Sequence, residues 1–298
     1  MNPDRRSFLK TAGALTAISG IVPGTAAAFT FPDPAEKAEL KISCQEGIAP
    51  GNTLTEKLDF LEKHGYSGLE VGGKGLAARV NEFKTALSGR KIKISAICAG
   101  FDGVPASEKE DVRMKAVASM KEILTAAGEL GSTGLIIVPA FNGQTTLGNK
   151  EARATIIPLL KELGGHAVKV KSRILLEPLN RNEAFFLRLV ADAAAICKDA
   201  DSPGICCMAD FWHMTWEETS DLGAIISAGK YLHHIHIASR KNRKMPGEDA
   251  GDNYIDGFRG LKLLGYRDFI SLECGSVGDK KVTVPAAAKL IREQWEKA

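Results

Sequence analysis

From Leu40 onward the chain repeats one pattern eight times, a short apolar run followed by a longer amphipathic one. That alternation constrains the fold more than any other feature. Short apolar runs bounded by turn residues suit buried strands, and the amphipathic stretches between them suit helices laid over a parallel sheet. The strands read as LKISCQEG from Leu40, GLEVGG from Gly68, IKISAICAG from Ile92, GLIIVPAF from Gly134, RILLEPL from Arg173, GICCMADFWH from Gly204, LHHIHIAS from Leu232 and FISLECG from Phe269. Helices are expected over residues 54–64, 76–88, 109–130, 150–170, 184–199, 217–228, 257–264 and 285–297, with Gly65 and Gly265 as left-handed stops after the first and seventh. Eight such pairs suit a single (β/α)8 barrel, which typically takes about 250 residues. The rival, an open doubly wound sheet, wants G-x-G-x-x-G after its first strand, and EVGGKG at Glu70 has the wrong spacing. The fold class is therefore α/β, a (β/α)8 TIM barrel in one domain.

Composition narrows the partners. Thirty-nine Lys plus Arg against thirty-six Asp plus Glu leave a net charge of +3 on 298 residues, too weak a bias to argue for nucleic acid or an anionic membrane. A hydrophobic content of 44% with 25% charged residues is ordinary for a globular protein with a sizeable core. A small molecule is the expected partner.

The N-terminus reads as an address. Paired Arg5 and Arg6 precede Phe8 and Leu9 in DRRSFLK, the weakly apolar TAGALTAISGIV follows, and TAAAF offers small residues for cleavage near Ala28. This resembles a twin-arginine signal peptide, with Asp4 where that pattern usually has Ser or Thr. The apolar stretch of about 12 residues falls short of the roughly 20 that a membrane span needs. The expectation is a signal peptide over residues 1–28, a short tether over 29–39 and the barrel over 40–298, exported to the periplasm with no stable membrane anchor after cleavage. Six cysteines in an exported chain raise the question of disulfides. No C-x-x-C pair occurs, and adjacent Cys206 and Cys207 would point to opposite faces of a strand, so buried thiols are expected.

In a barrel the carboxyl ends of the strands ring the mouth where chemistry is done. Those ends carry Glu177 on the fifth strand, Asp210 on the sixth, His236 on the seventh and Glu273 on the eighth. Each alone has a plain structural reading, as a solvated or ion-paired residue. Four consecutive strand ends doing so together point to a cation, because three carboxylates and an imidazole would otherwise repel one another. The mixed N/O set suits one divalent ion, Mn²⁺, Co²⁺ or Mg²⁺ with Zn²⁺ also admitted, and leaves positions for substrate oxygens. LHHIHIAS puts His234 and His236 on one strand face and His233 on the other, so at least one of the three serves structure.

These residues carry a family resemblance. EPLNRNE at Glu177 is similar to the E-P-x-N-R-x-E stretch of ketose 3-epimerases, and DFWH at Asp210 is similar to their D-x-x-H. The segment from His234 to Asp256 resembles their H-x-x-x-x-N-R-x-x-P-G-x-G-x-x-D, and ISLEC resembles the last-strand Glu. GYSGLEV at Glu70 matches the G-Y-x-G-x-E of the wider xylose isomerase-like, sugar phosphate isomerase/epimerase superfamily. The resemblance implies that Glu177, Asp210, His236 and Glu273 bind one divalent metal and that Glu177 and Glu273 are the acid/base pair. It implies substrate contacts for Glu183, His213, Arg243 and Glu70. The spacing from His236 to Arg243 is seven where the family has six, which leaves the register of Arg240 against Arg243 open.

A carboxylate that removes the proton beside a ketone leaves an enediolate, which the metal would stabilise. Reprotonation from the opposite face gives an epimer, reprotonation at the neighbouring carbon gives an isomer, and loss of a β-substituent makes a lyase. The expectation is an isomerase or epimerase of a sugar or keto-sugar. The alternatives are a lyase or dehydratase on a 3-keto-glycoside or inosose, and a non-catalytic metal- or sugar-binding barrel. The basic SRKNRK lies near the usual phosphate site of barrels, but export favours free or glycosidic sugars. A trinuclear-zinc endonuclease would need His ligands on early strands, and CQEG and ICAG offer none. A homo-oligomer is compatible with the resemblance, although no face of the sequence marks one.

Overall fold

The computed structural model describes residues 37–298, so the signal-peptide reading and the tether before residue 37 lie outside the described residues. Eight parallel strands close into a barrel in chain order: β1 Lys41–Gln45, β2 Gly68–Gly72, β3 Lys93–Cys98, β4 Leu135–Ile137, β5 Ile174–Leu176, β6 Ile205–Asp210, β7 Leu232–Ile237 and β8 Phe269–Leu272. β1 pairs with β2 on one side and β8 on the other, so no strand edge is left open. The helices are α1 Leu54–Lys63, α2 Leu76–Ala86, α3 Glu110–Glu129, α4 Asn149–Lys169, α5 Val190–Ala200, α6 Phe211–Glu217, α7 Asp221–Ala228, α8 Ile255–Leu263 and α9 Lys280–Lys297.

Local signals explain many of these boundaries. Thr53 and Glu56 form a reciprocal capping box at the start of α1, and Gly65 and Gly265 take the left-handed conformation after α1 and α8. The main core lies between the barrel and its helices, where the outward faces of the strands meet side chains such as Leu58, Phe83, Leu124 and Ile291. A second cluster, Ala96, Ile136, Leu175, Cys206 and Met208, packs within the barrel. A register shift between the pairs Cys207↔Leu232 and Met208↔His234 leaves His233 without a partner on β6, and its Nδ1 meets Asp268 at 2.7 Å. All six thiols are free, with Cys44, Cys197, Cys206 and Cys207 buried. Among the described residues no helix is long and apolar enough to cross a membrane.

Several boundaries depart from expectation, three of them near the mouth of the barrel or its loops. The sixth strand was expected to run through His213, yet it stops at Asp210, whose side chain caps α6 at once by accepting from the Trp212 N–H at 2.7 Å. The single helix expected over residues 217–228 is replaced by α6 and α7, with Ser220 capping the second. The helix expected from residue 184 starts at Val190, because Asn180 holds the preceding segment in a turn that accepts the N–H groups of Glu183 and Ala184.

Candidate active site

β5 to β8 deliver the four acid and imidazole side chains to one point. Glu177 and Glu273 each sit one residue past their strands, and their N–H groups still bond to Ile137 and Ile237 in the neighbouring strands. Asp210 is the last residue of β6 and His236 the fifth of β7. One ligand atom from each of Glu177, Asp210, His236 and Glu273 can be chosen so that all four lie within 4.8 Å of one another. His236 Nδ1 lies 3.0 Å from Glu273 Oε2 and 3.4 Å from Glu177 Oε1.

Hydrogen bonding tests whether this cluster suits a cation. The buried atoms Glu177 Oε1, His236 Nδ1 and His213 Nε2 have no hydrogen-bond partner. Seven buried side-chain polar atoms of the described residues are left so, and two of them, Glu177 Oε1 and His236 Nδ1, belong to the cluster. His236 Nε2 faces both oxygens of Glu70 at 3.1 and 3.0 Å, which fixes the proton of a neutral ring on Nε2 and leaves the Nδ1 lone pair for a ligand. The donor set therefore fits one divalent ion held by oxygen and imidazole nitrogen.

Electrostatics among these side chains separate the two glutamates. Burial, reinforced by Glu273, pushes the Glu177 carboxyl up to about 7 despite the neighbouring His236. Burial would raise Glu273 as well, but His236 and Arg243 beside it hold it down at about 2. Burial and Glu273 also raise Asp210. His236 is raised well above its ordinary value, against its burial, by Glu273 and Glu70.

The remaining expected residues divide. Arg243 enters the site: its Nη2 donates to Glu273 Oε2 at 2.6 Å, its Nη1 is 3.7 Å from Glu183 Oε1, and its guanidinium stacks over Trp212 at 4.5 Å. Arg240 pairs instead with Asp221 and the Phe211 carbonyl, so of the two arginines Arg243 is the one beside the cluster. The extra residue in the loop is absorbed by a left-handed turn at Arg243 itself, φ 52°, braced by bonds to Ser239 and from Gly275. His213 accepts from the Asn180 backbone and side chain through Nδ1, which leaves Nε2 to donate toward the mouth, 3.5 Å from Asp210 Oδ2. Burial and Arg243 lower His213 to about 4, so it is neutral. Glu183 accepts from Asn180 Nδ2 and lies beside Arg243.

Glu70 is held by two imidazoles. At 1% exposure it is buried beside the cluster, bonded to His234 at 2.8 Å and to His236, and it shares the lining of a cleft with Gln45 and Cys98. Burial would raise its pKa, and the two imidazoles hold it well below the ordinary carboxylate range. Sequence reasoning also missed Gln45, Cys98 and Asn180. Gln45 and Cys98 stand at strand ends, where the same positional rule would have found them had it been applied to residues that do not carry charge.

Comparisons with known proteins bear on the fold and the family. Residues 58–294 match the family model described as xylose isomerase-like TIM barrel. The 3-dehydro-D-guloside 4-epimerase of Escherichia coli (strain K12) is 28% identical over 247 residues, covering 78% of this chain and 92% of that protein. A D-psicose 3-epimerase of Ruminiclostridium cellulolyticum is 34% identical over 98 residues, 33% of each chain. Among solved structures, a 3-keto-D-glucoside 4-epimerase from E. coli aligns with a TM-score of 0.77 at 24% identity, over 86% of this chain and 99% of that one. A D-psicose 3-epimerase with D-tagatose, from Clostridium cellulolyticum H10, gives the same TM-score at 21% identity over the same shares.

Proposed function

The chain belongs to the xylose isomerase-like TIM barrel family, and from that premise we propose that it is a divalent-metal-dependent epimerase of a keto-sugar, with a 3-keto-glycoside as the preferred class. The convergence of Glu177, Asp210, His236 and Glu273 at the mouth carries the reading. The relative matched over 92% of its length is by name an epimerase of a 3-dehydro-guloside, which supports a glycoside carrying a ring ketone. The curated relatives are epimerases by name and none supports the lyase alternative. All four candidate ligands are present, which counts against a non-catalytic barrel.

A divalent ion held by the four side chains would polarise the ketone oxygen and lower the acidity barrier at the adjacent carbon. The residues supply the rest. Glu273, kept ionised by His236 and Arg243, suits the base. Glu177, buried across the cluster at the end of β5, suits the partner that returns the proton. β5 and β8 stand three staves apart around the ring, so the two carboxyl groups approach a bound sugar from different sides. One removes the proton beside the ketone and the other returns a proton to the opposite face. Neutral His213 donates from Nε2, and Arg243 with Glu183 forms a polar wall for hydroxyl groups.

Glu273→Gln tests this assignment, because it keeps the shape of the side chain and removes the base. The substitution is expected to lower epimerisation by about 10²-fold or more while sugar binding persists. Activity within a few-fold of the parent would remove Glu273 from the chemistry. We further propose export by the twin-arginine route, which periplasmic recovery of the full chain, lost on Arg5→Lys/Arg6→Lys, would test.

A further inference from the structure

We infer that Gln45, at the end of β1, is a positioning residue that holds Glu273 for proton transfer by tying it to Glu70. The inference rests on the epimerase reading for what Glu273 does, but not for how Glu273 is held.

The register of the barrel places the amide between two acids. Gln45 pairs with Glu70 on β2, and Cys44 pairs with Leu272 on β8, which brings Gln45 level with Glu273. Its Nε2 donates to Glu70 Oε1 at 2.9 Å and to Glu273 Oε1 at 3.1 Å. Two carboxylates can only accept from it, so the chemistry fixes which way the amide faces, and both of its hydrogens are used. The contacts form a ring of three hydrogen bonds and one close approach: Gln45 donates to Glu273 and to Glu70, His236 Nε2 donates to Glu70, and Glu273 Oε2 lies 3.0 Å from His236 Nδ1. β7, β8, β1 and β2, four adjacent staves, each give one member.

The ring sorts the two oxygens of Glu273. Oε2 faces His236 and Arg243, toward the cluster of candidate ligands. Oε1 is the oxygen left over for a proton, and Gln45 is its close donor, with the Cys98 thiol a distant second at 3.9 Å. Gln45 thus decides where that oxygen points. A cleft of about 280 Å³ opens beside it, lined by Gln45, Gly47, Gly72 and Cys98 among others, so direct contact between Gln45 and the sugar is the competing role to separate.

Two variants and two readouts separate them. Gln45→Ala removes both donors, and Gln45→Glu keeps the shape while opposing two carboxylates with a third. Crystal structures of the metal-free parent and Gln45→Ala are expected to show the Glu273 carboxylate turned away from His236 in the variant only. In turnover with saturating Mn²⁺ and a keto-glycoside, Gln45→Ala should lower kcat for deuterium exchange about 10- to 100-fold with KM and Mn²⁺ affinity altered less than about threefold, and Gln45→Glu should lose more. A Glu273 carboxylate unmoved in the variant overturns the inference whatever the activity. A loss confined to KM, or one restored by more Mn²⁺, also overturns it, by making Gln45 a substrate contact or a metal-retention residue. The crystallographic comparison needs no turnover, so failure of the parent to exchange any sugar proton would strike the epimerase reading alone.

Discussion

Asp210 does two jobs with its two oxygens. Oδ1 caps α6 and Oδ2 faces His213 and Arg243 in the cluster. Asn caps a helix about as well as Asp, so Asp210→Asn should leave metal-free stability within about 0.5 kcal/mol of the parent or above it. It should also abolish most of the stabilisation that added Mn²⁺ gives. Thermal unfolding with and without the ion checks both, and an undiminished gain in the variant would take Asp210 out of the ligand set. A second prediction concerns His233 at the other end of β7. Burial works against its charge, but the Asp268 carboxylate and the Cys206 thiol raise it to about 9. A raised folded-state value adds stability that is fully present below the ordinary value of about 6.5 and is lost as the pH climbs through about 9. Asp268→Asn should therefore cost on the order of 1–2 kcal/mol at pH 6, both groups being partly exposed, and almost nothing at pH 10. Urea midpoints that differ equally at both pH values would contradict the pairing. At this scale the sequence revealed Glu177, Asp210, His236 and Glu273 because strand ends in a barrel share one destination. Glu70 lies two residues before the end of β2, and the sequence shows its strand but not its depth.

Strand alternation was legible because buried parallel strands are apolar on both faces, and it holds even for β4 and β5, which are three residues long. Helix starts were less so. AFFLRL before α5 has helical spacing, yet Asn180 binds the nearby backbone and the Glu218 side chain accepts the Val190 N–H, which sets the first turn later. Helix packing yields a third prediction. A Cβ on Gly128, near the end of α3, would run into the Val170 carbonyl oxygen at the end of α4. Gly128→Ala should therefore lose about 1–3 kcal/mol by forcing two helices apart, where the same change at an open helical site would gain stability. A urea midpoint equal to or above the parent's would show that α3 and α4 separate at no cost. Metal binding should survive the change, since neither helix reaches the cluster.

For the whole molecule, candidate ligands from four strands mean that a bound ion would link half the barrel. An ion that binds only the folded chain, present at about 100 times its Kd, should stabilise by about 2.7 kcal/mol, and for a domain of this size should raise Tm by about 5–10 °C. One equivalent of metal per chain should produce the effect, and Glu177→Ala should remove it. Beyond the ion, the fold accommodates the proposed proton path between two glutamates, and on that proposal the sugar's outer groups fall to loop residues such as Glu183 and Arg243, whose neighbours no strand pattern fixes. The most direct measurement is proton NMR of a 3-keto-glycoside in heavy water with metal-loaded and metal-stripped protein. The loaded protein should erase the signal of the proton beside the ketone and build up the epimer, while the stripped protein leaves the spectrum unchanged. Equal exchange by the stripped protein, or no exchange by the loaded protein on any keto-sugar, would contradict the account.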